Sequence, residues 1–142
     1  MKKKRVSMIL IVSIIMFIMA NSIMTTQARQ IEDFENFVIY YKGAATQEKY
    51  TGYLKKTTKS KYAVLNLEPT RANKKVVVAT LRNSKNQSRG RIIMYVGTRK
   101  KFKTTGCVNG KYKMGIKLKD GRRGRRAIIF GSWSPDALRQ ES

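Results

Sequence analysis

Acid–base, nucleophilic and metal chemistry each need particular side chains, and this chain is sparing with them. It has no histidine, which excludes His-based acid–base catalysis, Ser-His-Asp triads, Cys-His dyads and His-ligated zinc. A paired-carboxylate mechanism needs two of Glu32, Asp33, Glu35, Glu48, Glu68, Asp120, Asp136 and Glu141 converging in one cleft. Most of these fall in turns or near the chain ends, which points to solvated surface carboxylates. Cys107 is the only cysteine, so no internal disulfide can form. Within Thr104-Thr105-Gly106-Cys107-Val108-Asn109-Gly110 it reads as a small buried or half-buried residue, with a catalytic or dimer-forming thiol as the sharper alternative. Gly121-Arg122-Arg123-Gly124 has glycines but neither the spacing nor the strand–turn–helix setting of a phosphate-binding loop. No enzyme activity, metal or cofactor is expected, and a carboxylate-dependent hydrolase is the one enzymatic alternative left.

The chain carries 31 Lys and Arg against eight Asp and Glu. Charge of this size and sign draws a protein to polyanions, with an affinity that salt weakens. The blander reading is that it keeps the protein soluble. Three groups stand out: Arg99, Lys100, Lys101 and Lys103; Lys111, Lys113, Lys117 and Lys119; and Arg122, Arg123, Arg125 and Arg126. The last two groups are expected to adjoin and form one electropositive surface, where arginines could hold phosphate bidentately. Tyr112 and Trp133 lie close by in sequence, yet alternation puts Tyr112 with the apolar residues rather than on a base-stacking surface. No RNA-recognition motif is present, and no specific nucleic-acid partner is expected.

The elements that position these cations begin with a leader. Lys2, Lys3, Lys4 and Arg5 precede an apolar run over 6–20 broken only by Ser7 and Ser13, and 21–27 turns polar. Thr26-Gln27-Ala28 places small residues at −3 and −1, so the reading is a signal peptide over 1–28 cleaved between Ala28 and Arg29. The alternative is an uncleaved N-terminal membrane anchor, since about 20 apolar residues span a bilayer. Either reading places the remainder outside the cytoplasm, secreted or associated with the cell surface. The leader carries four of the 31 basic residues and none of the eight acidic ones, leaving 27 against eight and a net charge of +19 on 114 residues.

Those 114 residues suit one domain. A lead-in over 29–36, a β-domain over 37–134 and a polar, frayed tail over 135–142 are expected. The clearest element is 112–119, where Tyr112, Met114, Ile116 and Leu118 alternate with Lys113, Gly115, Lys117 and Lys119, the period of a half-buried strand. Asn109-Gly110 before it and Asp120-Gly121 after it predict a hairpin on each side. Further strands are expected over 37–41, 50–54, 62–67, 75–81, 91–96, 102–105 and 127–133, rich in Val, Ile, Tyr, Phe and Thr. The continuously apolar 75–81 and 127–130 read as central strands. No stretch beyond the leader shows a helical stripe. The fold class is therefore all-β, an antiparallel β-sandwich of about seven or eight short strands after an N-terminal signal helix.

A leader, a basic body with Tyr53-Leu54-Lys55-Lys56-Thr57-Thr58 near its start, and a closing Gly131-Ser132-Trp133-Ser134-Pro135-Asp136 are similar to a broad group of small secreted Firmicutes proteins. Their last strand ends in a Gly-x-Trp signature, and some look like the lactococcin-type bacteriocins that fold as β-sandwiches. The resemblance implies an antiparallel sandwich with Trp133 buried near the C-terminal edge, and structural roles for Gly131 and Trp133. The chain departs from the group in charge, being far more basic over 121–126. The expectation from residues and resemblance together is a secreted, cationic, non-enzymatic protein. Its expected partners are anionic envelope polymers such as teichoic acid or lipid headgroups. A bacteriocin or toxin acting on competing cells is the alternative.

Overall fold

The computed structural model describes residues 29–42, 45–71, 74–119 and 126–137. Residues 1–28, where the leader and its Ala28 cleavage site are expected, residues 120–125 and residues 138–142 lie outside the described residues. Among the described residues every regular element is a strand: β1 (Glu32–Lys42), β2 (Ala45–Thr46), β3 (Lys49–Tyr50), β4 (Leu54–Lys55), β5 (Tyr62–Leu67), β6 (Val76–Asn83), β7 (Ser88–Tyr95), β8 (Arg99–Lys103), β9 (Lys111–Leu118) and β10 (Arg126–Ser134). Seven of these have five residues or more. The additional three are two-residue pieces at sheet edges, which residue type alone does not announce.

The strands form two antiparallel sheets, ordered β2-β1-β10-β5-β8 and β3-β9-β6-β7, with β4 also paired to β9. Alternation along each strand supplies one apolar face per sheet, and the two faces meet in a single core. Phe34, Phe37, Ile39, Leu65, Leu67, Phe102, Ile129 and Trp133 come from the first sheet, and Val77, Ala79, Leu81, Met94, Tyr112, Met114, Ile116 and Leu118 from the second. Each large side chain so buried contributes roughly 1.5–3 kcal/mol, which is the stabilisation available to a fold whose cysteine is free. The arrangement is sandwich-like: the outer faces of the two sheets point away from each other.

Several expected boundaries shift for identifiable reasons. The first strand starts at Glu32 rather than 37, so part of the expected lead-in is paired with β10. Phe34 and Phe37 are three residues apart yet both face the core, because the register shifts between them and Asn36 adopts a left-handed φ of 48°. That bulge breaks the period of two on which the sequence reading relied. The expected strand over 50–54 divides into β3 and β4, both along β9. Between them Thr51 stays on β9 through backbone and side chain, its N–H donating to the Met114 carbonyl at 2.9 Å and its Oγ1 accepting from the Met114 N–H at 2.9 Å.

The two expected hairpins around β9 do not form. β8 pairs with β5 and β10 with β1 and β5, while β9 pairs with β3, β4 and β6. The strands before and after β9 therefore belong to the other sheet, and Asn109-Gly110 lies in a crossover rather than a hairpin turn. Consecutive strands pair instead at β1–β2 and at β6–β7, the longer of the two hairpins. The β6–β7 turn is built by asparagine: Asn86 takes a φ of 61°, and the Gln87 N–H donates to Asn83 Oδ1 at 2.8 Å. β6 and β10 are interior strands, as their apolar runs predict.

Trp133 is 1% exposed and stands in β10, the middle strand of its sheet, not near an edge. Two residues earlier, a Cβ on Gly131 would collide with the Asn66 carbonyl oxygen and come within 3.0 Å of the Phe34 ring. A backbone atom cannot yield as a flexible side chain can. Gly131→Ala is therefore expected to cost on the order of 3 kcal/mol, the upper end of overpacking costs. Thermal and urea unfolding monitored by Trp133 fluorescence would measure it, and an unchanged midpoint would contradict the close approach.

Candidate functional site

The alternation of β9 places Lys111, Lys113, Lys117 and Lys119 outward while its apolar partners fill the core. Register then decides their surroundings. Tyr50 lies opposite Gly115, Arg82 opposite Lys113 and Val78 opposite Lys117. Beyond β6, the outward residues of β7 are Arg91, Ile93 and Tyr95, paired with Thr80, Val78 and Val76. The Lys113 ammonium sits 4.0 Å from the Tyr50 ring centroid and 5.4 Å from that of Tyr53, within the range of cation–π attraction. Tyr50, Tyr53, Ile93 and Tyr95 are all exposed. The outer face of the second sheet is thus a field of lysines and arginines interleaved with exposed rings.

Glu48 is the carboxylate beside this face, and its charge is already engaged. Arg82 Nη2 approaches Glu48 Oε2 to 2.8 Å, and the Tyr50 hydroxyl donates to the same oxygen at 3.1 Å. The hydrogen bond to Glu48, opposed by partial burial, raises the Arg82 guanidinium above its usual value. Gly115 leaves room for this pair, since a Cβ there would strike Glu48 Oε1.

The other two groups of predicted cations, where described, lie on strands of the first sheet. Arg99, Lys100, Lys101 and Lys103 lie on β8, the edge of the first sheet, and the Lys101 ammonium is 5.5 Å from the Tyr62 ring centroid. They belong to a different sheet from the β9 lysines. Arg122, Arg123 and Arg125 fall outside the described residues. Arg126 opens β10, on the first sheet, yet it reaches the Lys119 end: Lys75 Nζ donates to the Arg126 carbonyl at 2.9 Å, and the Lys119 N–H donates to the Val76 carbonyl at 2.9 Å.

Three carboxylates expected on the surface are instead structural. Besides Glu48, Glu32 accepts from Trp133 Nε1 at 3.1 Å and from the Gly52 N–H at 2.8 Å. Asp136 is 1% exposed, in what reads from sequence as a frayed tail. Its carboxylate accepts from Lys56 Nζ at 2.9 Å, the Thr57 N–H at 2.7 Å, the Thr57 hydroxyl at 2.9 Å, the Thr58 N–H at 3.2 Å and the Thr58 hydroxyl at 2.6 Å. Lys56, fully buried, also donates to the Pro135 carbonyl at 2.7 Å. Pro135 and Ala137 are buried beside them. The partners of this ion pair are 80 residues apart, so no local pattern announces it.

Burial by itself would raise the Asp136 carboxyl. The Thr57 N–H, the Thr58 hydroxyl, Lys56 and the Thr57 hydroxyl together outweigh it and hold the group below its ordinary value of 3.8. Each of the three carboxylates is taken up by its own donors, an arrangement that builds structure rather than a shared acid–base cleft. Among the described residues no group of three or more Cys, Asp and Glu is placed to hold a metal ion.

Comparison with protein-family models, with curated proteins and with solved structures finds no match to this chain.

Because the folded-state value of Asp136 is lowered, its stabilisation is present above the unfolded carboxylate value and is lost as pH falls through the folded one. Asp136→Ala leaves Lys56 buried without its counter-charge, which is expected to cost about 3–5 kcal/mol at neutral pH. Urea unfolding over a pH series should show the gap between parent and variant narrowing below an ordinary carboxylate value of 3.8. A gap independent of pH would exclude the charged carboxylate as its source.

Proposed function

We propose that this is an exported, non-enzymatic β-sandwich protein, released by cleavage after Ala28, that associates electrostatically with anionic polymers of the cell envelope. The observation that carries the reading is the outer face of the second sheet, where Lys111, Lys113, Lys117 and Arg91 alternate with Tyr50, Tyr53 and Tyr95. Lysines are strongly hydrated point charges suited to phosphate or carboxylate groups spaced along a chain. The exposed rings offer flat apolar surface to the units between those charges. In the released chain eight acidic residues cannot neutralise 27 basic ones, and at least two of the eight are committed to internal ion pairs. The excess positive charge is therefore available to an external polyanion. The leader supports envelope polymers over intracellular nucleic acid as that polyanion.

Two measurements test the reading. Mass spectrometry of culture supernatant should find a chain beginning at Arg29, and full-length protein confined to the membrane fraction would contradict processing. Purified mature protein should be retained on isolated cell walls at low salt and released as the Debye length shrinks from about 10 Å at 0.1 M to about 3 Å at 1 M. Replacing Lys111, Lys113 and Lys117 with Ser should lower that retention about tenfold. Replacing Arg122, Arg123, Arg125 and Arg126 with Ser should lower it as well. No retention at low salt, or retention indifferent to both variants, would sink the proposal.

A further inference from the structure

A cavity of about 600 Å³ opens at the end of the β5–β8 pair. Its position follows from the backbone. The segment 57–61 is held by Asp136 before it enters β5, and the 104–109 segment leaves β8 toward β9. The Thr104 N–H donates to the Lys61 carbonyl at 2.8 Å, and Tyr62 pairs with Lys103, so the two segments face each other at a set distance. Cavities of about 300–1,000 Å³ accommodate small organic ligands.

The chemistry of the wall is one-sided. Lys59, Lys61 and Lys103 line the cavity together with Thr58, Thr104 and Asn109, and no carboxylate is among the lining residues. The nearest acid described, Asp136 behind Thr58, is already neutralised by Lys56. Thr104 is 4% exposed, and its hydroxyl has no hydrogen-bond partner. A buried polar atom left unsatisfied is costly and calls for explanation. Arg89 Nε is also buried without a partner, and the Arg89 guanidinium lies against Gly106, its Nη1 3.0 Å from where a Cβ would stand. The remaining wall, Cys107 and Val108, is apolar and wider than a bare ion requires.

We infer that this cavity binds a small phosphate ester, its phosphate held by Lys59, Lys61 and Lys103 with the Thr104 hydroxyl, and its organic part resting against Cys107 and Val108. Three ammonium groups supply point charges for a doubly charged oxyanion. The site is distinct from the lysine–tyrosine face and takes a monomeric ligand in solution, so retention on cell walls does not bear on it.

Cys107 serves as a reporter, being half-buried and the only cysteine in the chain. Glycerol 3-phosphate, inorganic phosphate and glycerol would each be titrated into the mature protein, read by calorimetry and by the rate of Cys107 alkylation. Saturable binding of glycerol 3-phosphate, tighter than inorganic phosphate and accompanied by slower alkylation, is expected. The paired change Lys61→Gln and Lys103→Gln should weaken binding at least tenfold. Thr104→Val, checked for an unchanged fold by its unfolding midpoint, should weaken it about fivefold. Lys74→Gln, just before β6 and outside both the cavity and the lysine–tyrosine face, should leave it unaltered. Absence of saturable binding, binding no tighter than inorganic phosphate, or an equal loss in Lys74→Gln would overturn the assignment.

Discussion

Five hydrogen bonds converge on the Asp136 carboxylate, and one end of the molecule is organised around them. The interaction ties the chain just past β10 to the segment between β4 and β5, and each side brings further bonds. Lys56 N–H donates to the Gly110 carbonyl at 2.8 Å and Ala137 N–H to the Tyr62 carbonyl at 3.0 Å. Ser60 Oγ donates to the Ala137 carbonyl at 2.8 Å. A buried ion pair recovers its desolvation cost only when every remaining donor and acceptor is met, and here the two threonines meet the carboxylate while Pro135 meets the ammonium. In a chain with no disulfide to staple that end, this knot takes the position a covalent link would otherwise occupy.

The same scarcity of acids explains the surface. With so few carboxylates available, those near the core are used where a single charge secures several contacts: Asp136 at the chain end, Glu32 on the Trp133 indole, Glu48 on Arg82. The cations left over face outward, and their mutual repulsion opposes compaction. The core of two apolar sheet faces offsets it. Rings help to place some of the cations, with Tyr50 and Tyr53 beneath Lys113 and Tyr62 beneath Lys101. The result is a molecule with a lysine–tyrosine face on the second sheet and further cations along β8, the edge of the first.

Much of the fold is legible from local pattern. The period of two in 112–119 is enough to sort Tyr112, Met114, Ile116 and Leu118 into the core and the lysines outward, because strand geometry leaves side chains only two directions. The continuous runs in β6 and β10 likewise mark interior strands. Where local pattern fails, a backbone device intervenes: the left-handed Asn36 that keeps Phe34 and Phe37 on one face, and the crossover that carries the chain between sheets through Asn109-Gly110, a dipeptide typical of hairpin turns.

By itself, then, the sequence determined composition-level facts and everything set by neighbours along the chain: the charge, the absence of histidine chemistry, the all-β class and the two-sidedness of β9. Only the tertiary structure decided which strands are neighbours, that the Arg99–Lys103 cations and the β9 lysines lie on opposite sheets, and that Asp136 is a buried partner of Lys56 rather than part of a loose tail. The physical reason is range. Alternation and turn propensity act over a few residues, whereas pairing, burial and ion-pair partners depend on which distant segments the core brings together, and one carboxylate looks like another until its surroundings are assembled.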